Sequence, residues 1–262
     1  MASEGVARGP GRLGVVHVHS GWSHDGKDTL EALHDLSRGR GIRFVGLTDH
    51  AEDFTEARFR EYQAACAKAS SEHVQLIAGL EYRFAGLKGL HLLALGMAAW
   101  MNPATPAEFI SEARRVARFT IAAHPVLYHH ELPEAVEQGI DAIEIWNASY
   151  NTRWLPDPRA IDLLKRVQRN RPEVTGIAGL DQHDAKNDRE TRVLLLKADP
   201  SLDPLAELKA GRYVNLGRTM ELGASEAMSP TALGMLHLVR WGFDGVERTQ
   251  DKLTRLLRGD PR

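Results

Sequence analysis

The stretch "VHVHSGWSHDG" (residues 16–26) places His17 and His19 one residue apart on a predicted strand, and then adds His24 and Asp25. Successive side chains of a strand alternate between its two faces, so the two strand histidines are predicted to share a face. Two imidazoles at a strand end can chelate a metal ion, or they can be a chance pair on a solvated strand. The chain has 12 histidines in all, and the positions of the others decide between these interpretations.

Size and composition fit an ordinary globular protein. The chain has 262 residues, 43% hydrophobic and 26% charged, with a formal net charge of −2. This charge gives no bulk attraction to nucleic acid or anionic membranes, so we expect no stable nucleic-acid or membrane partner. No signal-peptide pattern and no apolar stretch of roughly 20 residues is present, which favours a cytoplasmic protein. We expect residues 1–11 to be a flexible leader and residues 12–262 to form one domain; the sequence leaves the oligomeric state open.

Apolar, strand-like runs alternate with amphipathic segments along most of the chain. The run 13–19, for example, precedes a segment in which Leu30, Leu33 and Leu36 recur at helical spacing. Such alternation implies parallel strands joined by right-handed crossovers. The run 90–96 is expected to pair antiparallel with the strand before it, because only a short loop separates them. One barrel-like α/β domain accounts for this pattern. An open doubly wound sheet is the alternative, although no glycine-rich nucleotide fingerprint follows the first strand.

Residues that can bind metals recur where these apolar runs end. They are His17, His19, Asp49, His50, Glu81, His91, His124, Asp181 and His183. Singly, a histidine here can be a core residue, and Asp181 can cap a helix. Because the carboxyl ends of barrel strands converge on one rim, the set as a whole indicates a multinuclear metal site.

The ordered motifs "HVHSGWSHDG", "GLTDH", "GLEY", "HLLALG", "AAHP" and "GLDQH" resemble those of the PHP (polymerase and histidinol phosphatase) superfamily. The resemblance runs from His17 to His183, which is most of the chain. It implies a distorted (β/α)7 TIM-like barrel with a trinuclear metal centre at the carboxyl ends of the strands. It also implies a metal-dependent phosphoesterase.

The resemblance further implies a set of ligands. His17, His19, Glu81 and Asp181 would hold one metal. Glu81 would bridge to a second, completed by His91 and His124. His50 and His183 would hold a third, with a residue from "SHDG". Glu81, Asp181 and His183 are also assigned a catalytic role.

The third-metal ligand from "SHDG" is either His24 or Asp25, since the spacing varies among family members. We favour Asp25, because "DG" recurs there in the family and a carboxylate offsets the charge of a third cation. His24 would then be a rim residue. Imidazole and carboxylate ligands suit Zn²⁺, Mn²⁺ or Fe²⁺, up to three ions per chain.

Clustered divalent metals lower the pKa of a bridging water and clamp the oxygens of a phosphoryl transition state. We therefore expect hydrolysis of a small phosphate ester, such as a histidinol phosphate-like or nucleotide monoester. Only residues 92–123 separate His91 from His124, which leaves no room for the insertion of the nucleotide-phosphatase relatives and weakens a nucleotide-specific interpretation. Amidohydrolase-type cleavage of an amide or carbamate, and a non-catalytic metal-binding barrel, are the alternatives.

The substrate-binding candidates are polar residues on loops that follow strands. Arg153 and Arg218 could form the guanidinium fork that phosphate recognition uses, and Asn147 could contact substrate or satisfy its strand end. Arg189 is a further, weaker candidate. Asp49 is expected to fix the tautomer of a ligand histidine, and His129 and His130 to lie on the rim or surface. Cys66, the single cysteine, is expected to be a buried structural thiol.

Overall fold

The computed structural model describes residues 11–150, 154–187, 191–218, 220–225 and 228–242. Its strands form two six-stranded sheets. In spatial order, the first sheet contains β12 (Glu221–Gly223), β11 (Tyr213–Leu216), β10 (Arg192–Leu195), β1 (Arg12–Val18), β2 (Ile42–Leu47) and β4 (Gln75–Ile77). The second contains β3 (Asp49–His50), β5 (Gly79–Arg83), β6 (His91–Leu95), β7 (Phe119–Ala123), β8 (Ala142–Asn147) and β9 (Thr175–Gly179).

The helices lie between strands, as the alternating pattern predicts. They are α1 (Leu30–Gly39), α2 (Glu56–Ala69), α3 (Pro106–Val116), α4 (Glu134–Glu137), α5 (Pro158–Gln168) and α6 (Pro204–Lys209), with residues 230–242 also helical. Threonine is the N-cap residue of three of these helices. The hydroxyls of Thr29, Thr55 and Thr105 each accept a hydrogen bond from a backbone N–H of the first turn. Cys66 is buried in α2, as expected, and burial raises the pKa of its thiol.

Both sheets are mixed. The sequence predicts one antiparallel run, β6, but not the antiparallel strands β10, β11 and β12. β6 runs antiparallel to β5 and β7, because a short loop rather than a helix joins β5 to β6; the predicted antiparallel pairing of this run is confirmed. β10, β11 and β12 also pair antiparallel and extend the first sheet beyond β1. The α/β class itself is confirmed.

The two sheets are joined at the end that carries the polar motifs. β2 ends at Leu47 and β3 begins at Asp49, and in the same way β4 ends at Ile77 and β5 begins at Gly79. Beyond β9, the Leu180 N–H donates to the Val16 carbonyl over 3.1 Å, and the His19 N–H donates to the Gln182 carbonyl over 2.8 Å. These bonds hold the ends of β1 and β9 side by side.

An apolar cluster is built from nine of the described strands of the two sheets, that is, from all but β3, β5 and β12, together with α6. Val16, Phe44, Leu93, Ile121 and Ile177 are among its members and are fully buried. Phe44 packs closely against β1 because residue 14 is glycine: a Cβ there would lie 2.1 Å from the tip of the ring. The polar motifs lie outside this cluster, at one end of the strands. Within the described residues, no helix is long and apolar enough to cross a membrane.

Candidate metal centre

The structure brings all nine of the residues predicted as metal ligands into one group at the joined end of the sheets. Each has a nitrogen or oxygen atom within 4 Å of another member of the group. They are His17, His19, Asp25, His50, Glu81, His91, His124, Asp181 and His183. They come from seven separate strand ends or loops, so only the folded chain assembles them.

Glu81 on β5 lies at the middle of the group. Its Oε1 is 2.7 Å from His91 Nδ1 and 3.3 Å from His124 Nε2. Its Oε2 is 3.1 Å from His50 Nδ1 and 3.4 Å from His19 Nε2. Burial alone would raise the pKa of this carboxyl, but hydrogen bonds from the histidines outweigh it and hold the pKa well below its usual range. A single buried carboxylate therefore faces two sets of imidazoles, one with each oxygen.

His17 and Asp181 lie beside this carboxylate in strained backbone conformations. φ is +63° at His17, +50° at Asp181 and +24° at His124, values that residues with a Cβ rarely adopt. The β1–β2 register is irregular between Val16 and Val18, which encloses His17. His17 and His19 do converge, with ring centroids 5.5 Å apart, but through this irregularity and not by regular alternation along a strand.

Atoms of the group form three sets in which every ligand atom lies within 4.8 Å of the others. The sets are His17–His19–Asp181, His17–Glu81–His124 and His19–Asp25–His50–His183. The last set is the most exposed to solvent of the three. The side chains of Asp25 and His183 are 37% and 32% exposed, against 2% for Glu81.

The donor atoms fit divalent cations better than they fit a hydrogen-bond network. Several buried atoms have no hydrogen-bond partner: Nε2 of His17, both ring nitrogens of His19, Nδ1 of His50, Nδ1 of His124 and Oδ1 of Asp25. Orphaned buried polar atoms are costly and rare. Ligands bound about 2.1 Å from one cation lie roughly 3.0–3.4 Å from each other. The distances of 3.3 and 3.4 Å from Asp181 Oδ1 to His17 Nε2 and His19 Nε2 match this spacing.

Glu144, on β8, belongs to the site but was not singled out from the sequence. Its Oε1 accepts from His17 Nδ1 over 2.7 Å, and its Oε2 accepts from the His124 backbone N–H over 2.7 Å. Burial opposes protonation of His17, but Glu144 and then Asp181 raise the pKa of the ring well above its ordinary value. Gly179 makes room for this carboxylate, since a Cβ there would lie 1.8 Å from Oε1. A glutamate inside the apolar run "AIEIW" was the available signal.

Two further residues at the site were also missed. Arg83 follows Glu81 by two residues, and its Nη2 lies 3.1 Å from His50 Nε2. The Tyr150 ring lies 4.9 Å from the His124 ring, and burial together with Asp181 raises the pKa of the phenol to about 12. Tyr150 therefore stays protonated at neutral pH. In the sequence, Arg83 lies at a strand end and Tyr150 lies beyond Asn147, but no motif marks either residue.

The structure separates His24 from Asp25. Asp25 Oδ2 lies 3.1 Å from His50 Nε2 and 3.3 Å from His183 Nε2. His24 instead pairs with Asp53, its Nδ1 2.8 Å from Oδ2, and is exposed. This placement agrees with Asp25 as a ligand and His24 as a rim residue.

The role expected for Asp49 is wrong in its detail. Its carboxylate accepts hydrogen bonds from the Ser20 backbone and from the hydroxyls of Ser20 and Ser23, at 2.7–2.8 Å, and not from an imidazole. Ser23 in turn accepts from the His50 N–H. Asp49 therefore holds the loop that carries Asp25 at the strand end, because the two serines that donate to it belong to that loop. Beyond β7, His129 is exposed, as expected, whereas His130 contacts the buried carboxylate of Asp157.

The three substrate-binding candidates have different outcomes. Arg153 lies outside the described residues, as does Arg189. The guanidinium of Arg218 lies 4.6 Å from the centre of the Trp154 ring. Asn147 is fully buried: it donates to Glu144 over 2.8 Å and accepts from the Ser149 N–H. It satisfies its strand end and orients Glu144, so a substrate contact has no support.

Comparison with known proteins gives one family and several distant folds. The PHP domain family profile matches residues 16–208. A search of curated proteins finds no match. PsfC from Pseudomonas syringae PB-5123 is similar in structure, with a TM-score of 0.56 and 15% identity over 90% of this chain and 100% of that one.

Two other solved structures are less similar. One, from Bifidobacterium adolescentis and provisionally named a metal-dependent phosphoesterase, has a TM-score of 0.47 and 17% identity over 71% of this chain and 91% of its own. The other, an amidohydrolase from Chromobacterium violaceum, has a TM-score of 0.41 and 15% identity over 76% and 96%. At these values neither comparison informs the chemistry.

Replacing Glu144 tests whether its charge holds the site together. The change Glu144→Gln keeps the shape but removes the anion that orients His17, so we expect metal affinity to fall roughly 10- to 100-fold. Competition with a chromogenic chelator measures this. The exposed helix residue Glu31 gives the control, Glu31→Gln, which should leave affinity unchanged. Equal affinity in all three proteins would show that Glu144 does not support the metal site.

Proposed function

We propose that this chain, which belongs to the PHP domain family, is a phosphoesterase that hydrolyses a small phosphate monoester. Family membership and the histidine–carboxylate clusters support a metal-dependent hydrolase. The phosphate ester and the number of ions, up to three, are the further parts of the proposal. We also retain the predictions of a cytoplasmic location and of a small-molecule partner in preference to nucleic acid.

We also propose that the two mixed sheets together form a closed barrel. Going around the molecule, β1, the β2–β3 pair, the β4–β5 pair, β6, β7, β8 and β9 are neighbours in turn, and backbone bonds at Leu180 and Gln182 return to β1. The shared apolar cluster inside these strands supports the same reading. We therefore propose a distorted (β/α)7 TIM-like barrel. Its active site would lie at the carboxyl ends of the strands, as is general for this architecture.

The observation that carries the function is Glu81, buried with each oxygen facing a different pair of histidines. His91 and His124, at Oε1, would serve the second ion and His19, at Oε2, the first, so the arrangement supports Glu81 as a ligand shared by two cations. In the proposed assignment, His17, His19, Glu81 and Asp181 would hold one ion. His91, His124 and Glu81 would hold a second, and Asp25, His50 and His183 a third. The mixture of imidazole and carboxylate ligands favours Zn²⁺, Mn²⁺ or Fe²⁺ over metals that prefer all-oxygen sites, such as Mg²⁺.

When bound, such ions activate water near neutral pH and offset charge on phosphate oxygens. The chain's own residues supply the rest. Asp181 lies between His17, His19 and Tyr150, where its carboxylate can accept a hydrogen bond from an attacking water and orient it. Tyr150, protonated at neutral pH, can donate a hydrogen bond to a phosphate oxygen. Arg83 adds a positive charge at the edge of the group.

The loops fit a compact substrate. Residues 96–118, which join β6 to β7, contain α3 and no further domain. This connection lies at the end of β6 and β7 opposite His91 and His124, so other loops form the rim around the metal-ligand group. A small phosphate ester is the class that matches both the donor set and this open rim.

Chelation and the change Glu81→Gln test the metal dependence together. We expect the purified protein to release phosphate from a panel of phosphomonoesters and to lose this activity in chelator. We expect Glu81→Gln to lose two ions at once, because a bridging carboxylate serves both. Elemental analysis and phosphate release are the measurements. Faster turnover of amides or carbamates than of any phosphate ester would instead favour an amidohydrolase. Loss of a single ion would show that Glu81 does not bridge.

Asp25 and His24 form a matched pair of variants. Asp25→Ala should reduce occupancy of the third ion and lower kcat sharply, since it removes the anionic ligand between His50 and His183. His24→Ala should keep full occupancy, because His24 contacts Asp53 at the rim. Metal analysis of both proteins after dialysis checks this. The opposite pattern would assign the third ion to His24.

A further inference from the structure

A cleft of about 630 Å³ opens beside the metal-ligand group. One wall is the β5–β6 loop and the other is the segment that follows β7. Its lining residues are Arg83, Phe84, Leu87, Lys88, Gly89, His91, Leu127 and His129. Gly89 has a φ of +89°, and a Cβ there would lie 2.2 Å from the Leu127 carbonyl, so the two walls meet closely at this point.

The cleft is continuous with the site through two of its lining residues. His91 has its Nδ1 2.7 Å from Glu81 at the inner end. Arg83 has one guanidinium nitrogen 3.1 Å from His50 and the other 3.3 Å from Glu52. Glu52 thus fixes one side of the guanidinium while the other faces the metal-ligand group. A phosphate held by that group would lie within the field of Arg83, with the rest of its molecule directed into the cleft.

The chemistry of the lining is divided along its length. The inner part carries the charges of Arg83 and the imidazole of His91. The walls carry the apolar side chains of Phe84, Leu87 and Leu127, and the exposed side chains of Lys88 and His129 complete the lining. An acidic side chain is absent from the lining among the described residues. On the surface formed by Phe84, Leu87 and Leu127, the hydroxyls of a sugar or glycerol group would gain no partner, whereas an aryl or short alkyl group would bury apolar surface.

We infer that the cleft binds the alcohol part of the substrate, and that this part is a compact apolar group. The inference rests on the proposed function and adds the substrate class to it: an aryl or short-chain alkyl phosphate. In the reaction, a water oxygen forms a bond to phosphorus while the phosphorus–oxygen bond to the alcohol breaks. The alcohol leaves with one proton, and inorganic phosphate remains in the site. Arg83 would bind the phosphate equally for every ester, so the leucines and not Arg83 would set the preference.

Binding of non-hydrolysable ligands tests the cleft without relying on turnover. We expect the metal-loaded protein to bind phenylphosphonate about tenfold more tightly than methylphosphonate, measured by calorimetry. Leu127→Asn and, separately, Leu87→Asn should reduce this ratio to near one, mainly by weakening phenylphosphonate. Leu238→Asn, at a leucine 70% exposed on the helix of residues 230–242, is the control and should keep the ratio. An unchanged ratio in both cleft variants, or no preference in the unmodified protein, would overturn the inference.

Hydrolysis of phenyl phosphate and glycerol 3-phosphate separates this inference from the proposed function. We expect kcat/KM to favour phenyl phosphate, and Leu127→Asn to lower that preference about as much as the binding ratio. Arg83→Ala should raise KM for both esters and leave their ratio unchanged. Phenylphosphonate preference without release of phosphate from either ester would refute the phosphoesterase and keep the cleft. Release of phosphate from both esters at equal rates, with no binding preference, would refute the cleft alone.

Discussion

The Glu81 carboxylate lies buried among nitrogen atoms of five histidines: His17, His19, His50, His91 and His124. A buried anion needs nearby positive charge or hydrogen-bond donors, and these rings supply them. Yet several of the same ring nitrogens are left without hydrogen-bond partners. Cations between the carboxylate and the rings resolve both problems together. The rest of the site is arranged around this one residue.

Other carboxylates hold the surrounding chain in place. Glu144 fixes the His17 ring and the backbone at His124 by accepting from His17 Nδ1 and from the His124 N–H. Asp49 accepts from Ser20 and Ser23 and so positions the loop that delivers Asp25. The strained backbone at His17 and His124 is tolerated because the bonds from Glu144 hold both residues. Local strain concentrated at a group of candidate ligands is what a pre-organised functional site is expected to show.

The sequence predicted the α/β class, the alternation of strands and helices, and the group of candidate ligands, because most of the ligands end an apolar run or follow one directly. His91 instead begins β6, and Asp25 lies on the loop beyond β1. The sequence did not predict Glu144, whose side chain emerges within a run that reads as core, nor the contact of Arg83 with His50, which depends on the pairing of two strands. It misjudged Asp49, because a carboxylate beside a ligand histidine can serve a loop as well as a ring. It also assigned His17 and His19 to regular alternation, since a register irregularity leaves no signature in residue types.

The most direct test of this account is anomalous X-ray diffraction from crystals of the metal-loaded protein, collected at the absorption edges of zinc, manganese and iron. The account predicts anomalous peaks within the histidine–carboxylate group, with one peak bonded to each oxygen of Glu81. Elements would be identified by the edge at which each peak appears. Crystals that show no peak near Glu81 after metal loading, with its oxygens hydrogen-bonded only to protonated histidines, would contradict it.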